Sequence, residues 1–109
     1  MGQTWVKYKD VEAQEASDGV QRRVLAYTDT LMCVENTFEE GAIGALHTHP
    51  HTQITYVITG EFEFEIEGEK RIVTAGDSMV KEGFQVHGCV CKKKGVLLDI
   101  FHPKRDDFL

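Results

Sequence analysis

The segment Gly41–Gly60, GAIGALHTHPHTQITYVITG, decides the fold of this chain through the spacing of its polar residues. His47 and His49 are one residue apart, and a β-strand places such a pair on one face because its side chains alternate with a period of two. Gln53 opens a β-branched and aromatic run just after the Pro50 turn, so its amide oxygen can return to the same point. The spacing therefore predicts a metal site on a β-scaffold.

A third imidazole comes from His87, which lies in a later apolar stretch. A lone histidine in a strand is more often structural, but we expect these three histidines and Gln53 to bind one metal ion. His51 would continue the alternation, yet Pro50 interrupts the strand, and we expect the fourth ligand to be Gln53 instead. The roles of His51 and His102 stay open.

The cysteines could be metal ligands or apolar core residues. Cys89 and Cys91 share a strand face with His87, so a thiolate ligand is an alternative. We favour packing as small hydrophobic side chains in a tapering barrel, and we also expect Cys33 to lie in the core. An odd number of cysteines does not indicate a disulfide framework.

Short β-rich runs separated by turn residues predict an all-β sandwich or barrel. The predicted runs are 20–27, 31–38, 42–49, 53–59, 61–67, 70–74, 78–81, 86–91 and 96–101, with turns at 59–60 and 92–95 among others. The clearest alternation is EFEFEIE at 61–67, with Phe62, Phe64 and Ile66 predicted to face inward. Residues 1–18 are predicted to form an arm or a short first strand around Trp5–Tyr8, and residues 19–109 the barrel.

Composition indicates a single domain over residues 1–109, since a chain of this length with 41% hydrophobic residues can bury one core. The formal net charge of −6 argues against nucleic acid and an anionic membrane surface as partners. No apolar run approaches the ~20 residues of a membrane span. We therefore expect a cytoplasmic protein.

Two motifs resemble those of the cupin superfamily and imply its double-stranded β-helix, or jelly-roll, barrel. The first is Gly41–Gly60, with Gln53 where glutamate is commoner. The second is Gly76–His87, GDSMVKEGFQVH, whose glycine and histidine have the cupin separation. Three positions depart from the usual second motif: Glu82 replaces proline, Phe84 replaces glycine (with Gly83 one place early) and Cys91 replaces asparagine.

The C-terminal segment Leu97–Leu109, LLDIFHPKRDDFL, carries further candidate residues. Asp99 interrupts an apolar strand and shares a face with Phe101, and a carboxylate among apolar groups near a metal is a candidate proton carrier. Arg105 can fold over the barrel mouth as a bidentate carboxylate clamp. The alternatives are a buried structural carboxylate and a surface arginine paired with Asp106 or Asp107.

From about Gly19 to the last residue, these features resemble the KdgF family of pectin-degradation cupins. The resemblance implies a divalent metal ion, which imidazole and amide ligands accept as nickel, zinc, iron or manganese. The implied ligands are His47, His49, Gln53 and His87, and the implied catalytic or substrate-contacting residues are Asp99, Phe101 and Arg105. The implied substrate is the 4,5-unsaturated monouronate left by pectin or alginate lyases, which opens to the linear 4-deoxy-5-keto-uronate.

Neutral ligands leave the charge of the ion uncompensated, which strengthens it as a Lewis acid for anionic oxygen. Two other functions stay open: a non-catalytic sugar-binding cupin and a small cupin dioxygenase. We also expect a homodimer, since cupins resembling this one are usually dimers and a short barrel exposes sheet edges.

Overall fold

The computed structural model describes residues 3–109, which are almost wholly antiparallel β-structure. The strands are β1 Gln14–Ser17, β2 Val20–Tyr27, β3 Met32–Phe38, β4 Ile43–His47, β5 Thr52–Ile66, β6 Glu69–Thr74, β7 Ser78–Lys81 and β8 His87–His102. Two short 3-10 helices cover Tyr8–Asp10 and Asp106–Phe108. No helix in this described range could span a membrane.

The two longest strands, β5 and β8, pair with each other and exchange their outer partners half-way along. The first half of β8 pairs with β4 and its second half with β3, while β5 pairs first with β7 and then with β6. The remaining strands extend the order to β1-β2-β3-β8-β5-β6. This exchange rolls the sheet into the two-sided barrel of a jelly roll, so the predicted all-β cupin architecture is confirmed.

The turns predicted at 59–60 and 92–95 are wrong, because β5 and β8 each run through them as one strand. Gly60 has a φ of +90°, and register shifts surround it. A side chain on Gly95 would overlap the carbonyl oxygen of Thr59. Glycine within a strand permits a bulge or a close approach of another backbone. Here the two glycines let β5 and β8 bend against each other.

The strand suggested around Trp5–Tyr8 does not form. Tyr8 begins a 3-10 helix and the Trp5 side chain is 85% exposed. The first strand is Gln14–Ser17, which pairs with β2. Trp5 and Tyr8 are both exposed, so neither side chain packs against the inner face of the sheet as a strand residue would.

The core lies between the inner faces of the sheet. Phe62 and Phe64 are buried as the alternation predicts, while Ile66, at the strand end, is half-buried. Cys89 and Cys91 pack in the same apolar cluster, as expected. Cys33 is not a core residue: it is half-buried, because the buried Met32 and Val34 beside it occupy the opposite face of β3.

Candidate metal centre and pocket

Three histidines converge at one end of the barrel. His47 ends β4 and lies directly across from His87 at the start of β8, and His49 follows in the loop. One potential ligand atom from each of the three lies within 4.8 Å of the others. The structure thus brings together the imidazoles predicted from the HxH spacing and from the second motif.

Hydrogen bonds to the backbone set the tautomers of two of these rings. Nδ1 of His47 lies 2.8 Å from the carbonyl oxygen of Ala45, and Nδ1 of His87 lies 2.8 Å from that of Gln85. Since a carbonyl only accepts, Nδ1 carries the proton and Nε2 keeps its lone pair. Nε2 of His87 is buried without a hydrogen-bond partner, which suits an atom that ligates a metal.

Gln53 lies beside this group, where the fourth ligand is predicted. Its side chain is buried, and its Oε1 lies 3.0 Å from Nε2 of His49. Two ligand atoms bound at right angles with bonds of about 2.1 Å are separated by about 3 Å. The spacing of these two atoms therefore fits adjacent ligands of one ion.

Burial favours the neutral form of His49 and His87, and metal binding requires neutral imidazole. Burial lowers the pKa of His87 from 6.5 to about 4 and also lowers the pKa of His49. Three neutral imidazoles with an amide oxygen are a donor set that nickel, zinc, iron or manganese accepts. The residues present thus fit a divalent transition metal.

The other two histidines lie outside this group. His51 packs against His49 and Phe101, with ring centroids 5.3 and 6.3 Å away. Nδ1 of His102 lies 3.0 Å from the carbonyl oxygen of Thr30, on an exposed edge. Only His51 is therefore close enough to influence the centre.

A cavity of about 220 Å³ adjoins the histidines. Its lining includes the predicted residues His47, Gln53, His87, Asp99, Phe101 and Arg105, and also Arg22, Lys81 and Phe108. Among the lining side chains three are cationic, Arg22, Lys81 and Arg105, and only Asp99 is anionic. The pocket is positive in a chain whose net charge is −6, so it favours an anionic ligand.

Asp99 is 3% exposed and accepts three hydrogen bonds. Its Oδ1 accepts from Gln53 Nε2 at 2.8 Å and Thr55 Oγ1 at 2.5 Å, and its Oδ2 accepts from Asn36 Nδ2 at 2.7 Å. A carboxylate has about four acceptor positions, so one stays open on Oδ2. Asp99 is both a hydrogen-bonded buried carboxylate and a pocket residue with room for one more proton donor.

Arg105 lines the pocket and is also paired with Asp107, as one of the two interpretations of the sequence expects. Its Nε and Nη2 donate to the Asp107 carboxylate at 3.0 and 2.8 Å, and this pairing lowers the pKa of Asp107. Its guanidinium lies 5.1 Å from the ring centroid of Phe101. A guanidinium has five N–H donors, and the pairing with Asp107 uses two of them. The others can bind a ligand in the pocket.

Sequence reasoning missed two cationic residues of the pocket. Lys81 is 1% exposed and donates a hydrogen bond to Thr55. The Arg22 guanidinium lies 3.8 Å from the ring centroid of Phe108, and the Arg105 guanidinium lies 4.3 Å from the same centroid. Lys81 could have been found, because it stands two residues after Met79, at an inward position of a strand. Arg22 gave no such signal.

Comparison with known proteins agrees with this architecture. Residues 34–101 match the cupin domain family. The chain is 47% identical over 98 residues to the pectin degradation protein KdgF of Dickeya dadantii, covering 88% of this chain and 89% of that protein. The chain belongs to the KdgF family of cupins.

Solved structures extend the similarity to the backbone. KdgF from a Halomonas species has a TM-score of 0.93 and 38% identity, covering 98% of this chain and 99% of that one. An RmlC-like cupin from Shewanella frigidimarina has a TM-score of 0.95 and 36% identity, covering 98% and 96%. A salicylate 1,2-dioxygenase, at 15% identity and a TM-score of 0.77, covering 80% of this chain and 27% of that one, shares the fold alone.

Proposed function

We propose that this KdgF-family cupin is a metal-dependent enzyme that opens the ring of 4,5-unsaturated monouronates from pectin or alginate. The product is the linear 4-deoxy-5-keto-uronate. The observation that carries the proposal is the meeting of a three-histidine group, Gln53, Asp99 and Arg105 around one positive cavity. The identity with a named pectin degradation protein supports the substrate class.

The charge of the cavity supports an acidic sugar in particular. A uronate carries one carboxylate, and the lining offers three cations against one carboxylate. Arginine binds carboxylates in a bidentate manner. Although Arg105 is paired with Asp107, it has further N–H groups to donate. An acidic sugar is therefore a better match to this cationic lining than a neutral one.

The reaction is an isomerisation that needs no co-reactant. The substrate is a cyclic hemiacetal whose ring oxygen O5 is also an enol ether oxygen beside the carboxylate. Removal of the proton from the C1 hydroxyl breaks the C1–O5 bond. C1 becomes an aldehyde, the electron pair leaves on O5 as an enolate, and C4 then takes a proton to give the 5-keto group.

The residues of the pocket can be assigned roles in these steps. A divalent ion held by His47, His49, Gln53 and His87 supplies a Lewis acid for developing negative charge. Asp99, through the open position on Oδ2, accepts the hydroxyl proton or returns a proton to C4. Arg105 holds the substrate carboxylate, and Phe101 forms the apolar wall.

Loss of the conjugated double bond's absorbance tests the proposal. Metal-loaded protein is mixed with freshly generated unsaturated monouronate, and chelator-treated protein serves as the control. Catalysed loss only in the metal-loaded sample is the expected result. Tight binding without acceleration would instead identify a sugar-binding module, and loss that requires O₂ would identify a dioxygenase.

We also propose a homodimer. The outer face of β5 exposes Ile54, Tyr56 and Ile58 at 40–49% of their surface, next to the exposed Val80 of β7. A second copy could cover this apolar face across a two-fold axis. The mass in solution at micromolar concentration should be that of two chains, and I58E should yield a monomer. A monomeric parent protein would contradict the proposal.

We place the protein in the cytoplasm, a reducing compartment. All three cysteines are free thiols, which is the usual state of cysteine there.

A further inference from the structure

Lys81 carries a buried charge that the proposed reaction does not use. Its side chain is 1% exposed, its Nζ donates to Thr55 Oγ1, and it lies 5.1 Å from the Phe64 ring centroid. A lone ammonium buried in this way costs several kcal/mol. Burial lowers the pKa of Lys81, and the negative charge of Asp99 opposes that shift. Lys81 and Asp99 therefore form a buried ion pair bridged by Thr55.

The chemistry of the donors sets the direction of every hydrogen bond in this bridge. An ammonium group can only donate, so Thr55 Oγ1 accepts from Lys81. The single hydroxyl proton of Thr55 then goes to Asp99 Oδ1, 2.5 Å away. The Asp99 carboxylate can only accept, so the Gln53 group that faces it at 2.8 Å is the NH₂.

The orientation of the Gln53 amide follows from this chain. With NH₂ on Asp99, the amide oxygen faces the histidines, 3.0 Å from His49 Nε2. A reversed amide would place its oxygen against the Asp99 carboxylate and its N–H protons where the metal belongs. We infer that Lys81 and Thr55 are positioning residues which, through Asp99, hold Gln53 as an oxygen ligand of the metal centre.

The inference rests on the metal-binding part of the proposed function and is independent of the sugar. Its test is the affinity of chelator-treated protein for Co²⁺, measured by competition with a chromophoric chelator, together with the visible spectrum of the Co²⁺ form. T55V removes the hydroxyl while keeping the shape, T55S keeps the hydroxyl, and K81M removes the charge. K70M, at a lysine whose side chain is 62% exposed, is the matched control.

We expect T55V and K81M to bind Co²⁺ about 10- to 100-fold more weakly, as loss of a partner behind a metal ligand does. Their spectra should change, because the ligand field at the Gln53 position changes. T55S and K70M should retain the affinity and spectrum of the parent. If Thr55 had only a packing role, T55V would not bind Co²⁺ more weakly than T55S.

Unchanged Co²⁺ affinity and spectrum in T55V would overturn the inference and leave the proposed function intact. A parent protein that binds no divalent metal would overturn both. Thermal melting of each metal-free variant checks the fold, since K81M leaves the Asp99 charge unpaired. Should K81M fail to fold, the comparison of T55V with T55S decides.

Discussion

His47 and His87 are oriented by the same local device: each ring donates from Nδ1 to the carbonyl oxygen two residues earlier in the chain. The two rings lie side by side, with centroids 4.5 Å apart. Each therefore presents Nε2 to the common centre before any metal arrives. Such preorganisation reduces the side-chain entropy lost on binding an ion.

Asp99→Asn should keep the metal and the KM near those of the parent but lower kcat about 10²- to 10⁴-fold. The new amide oxygen can still face Gln53 and Thr55, and its NH₂ can face Asn36, whose own amide can reverse. The asparagine at position 99 cannot accept or release a proton near neutral pH. Steady-state kinetics and metal content measured on one preparation check this. Parent-like kcat would mean that Asp99 only positions Gln53.

Arg105→Ala should act mainly through substrate affinity, with KM rising about 10- to 100-fold, because a charge-assisted bond of about 1.5–3 kcal/mol is lost. Arg23→Ala is the matched control, since Arg23 follows Arg22 in β2, is not among the residues that line the cavity, and pairs with Glu35 at 3.8 Å. Steady-state kinetics give the KM of both variants. An equal effect in the two variants would refute a clamp at Arg105.

The meeting of the three histidines was predictable from sequence because the HxH pair and the later histidine lie at spacings that strands convert directly into a shared face. Lys81 and Thr55 were not, since their roles depend on strand register. Lys81 pairs across β7 and β5 with Gln53, and Thr55 across β5 and β8 with Asp99. Spacing within one segment carries no information about such pairs.

At the scale of the elements, the sequence predicted which strand residues face inward, but not that β5 and β8 are each one uninterrupted strand. The alternation in EFEFEIE placed Phe62 and Phe64 correctly, because burial selects every second residue. The sequence predicts turns at Gly60 and Gly95, yet both glycines lie inside strands, β5 and β8. Glycine permits both a turn and a bend within a strand, and only the partner strand distinguishes the two.

Phe84 stands where the second cupin motif usually has glycine, and its backbone has a φ of +67°. The side chain is 69% exposed, and its N–H donates to the carbonyl oxygen of His49 at 2.7 Å. The turn therefore keeps the glycine conformation and supports the candidate ligand His49. The cost is the strain of a left-handed phenylalanine, about 1–2 kcal/mol.

Phe84→Gly should raise the free energy of unfolding by about 0.5–1 kcal/mol, since relief of strain exceeds the entropy that glycine adds to the unfolded chain. Phe84→Ala keeps a Cβ at positive φ and should give no such gain. Urea denaturation of both variants checks the difference. Equal stabilisation by glycine and alanine would show that strain is not the cause.

At the scale of the whole molecule, the buried histidines make the metal-free protein sensitive to acid. Burial lowers the pKa of His87 from 6.5 to about 4. The unfolded chain therefore binds the proton first as pH falls. The contribution of neutral His87 to stability is complete above about pH 6.5 and is lost as pH falls toward 4.

Chelator-treated protein should thus lose stability on the order of 2 kcal/mol between these two pH values. His87→Gln should flatten the decline, whereas His102→Gln, at an exposed position, should leave it as in the parent. Urea denaturation at each pH measures the effect. A decline of the same size in His87→Gln would assign the acid sensitivity to other groups.

NMR identification of the product tests whether the pocket catalyses ring opening of an unsaturated uronate. Metal-loaded protein, chelator-treated protein and buffer alone are each mixed anaerobically with the monomer, and the spectra are followed in time. We expect linear 4-deoxy-5-keto-uronate to form faster with metal-loaded protein than in either control. Formation at the rate of buffer alone, with parent metal content and intact fold, would contradict this expectation.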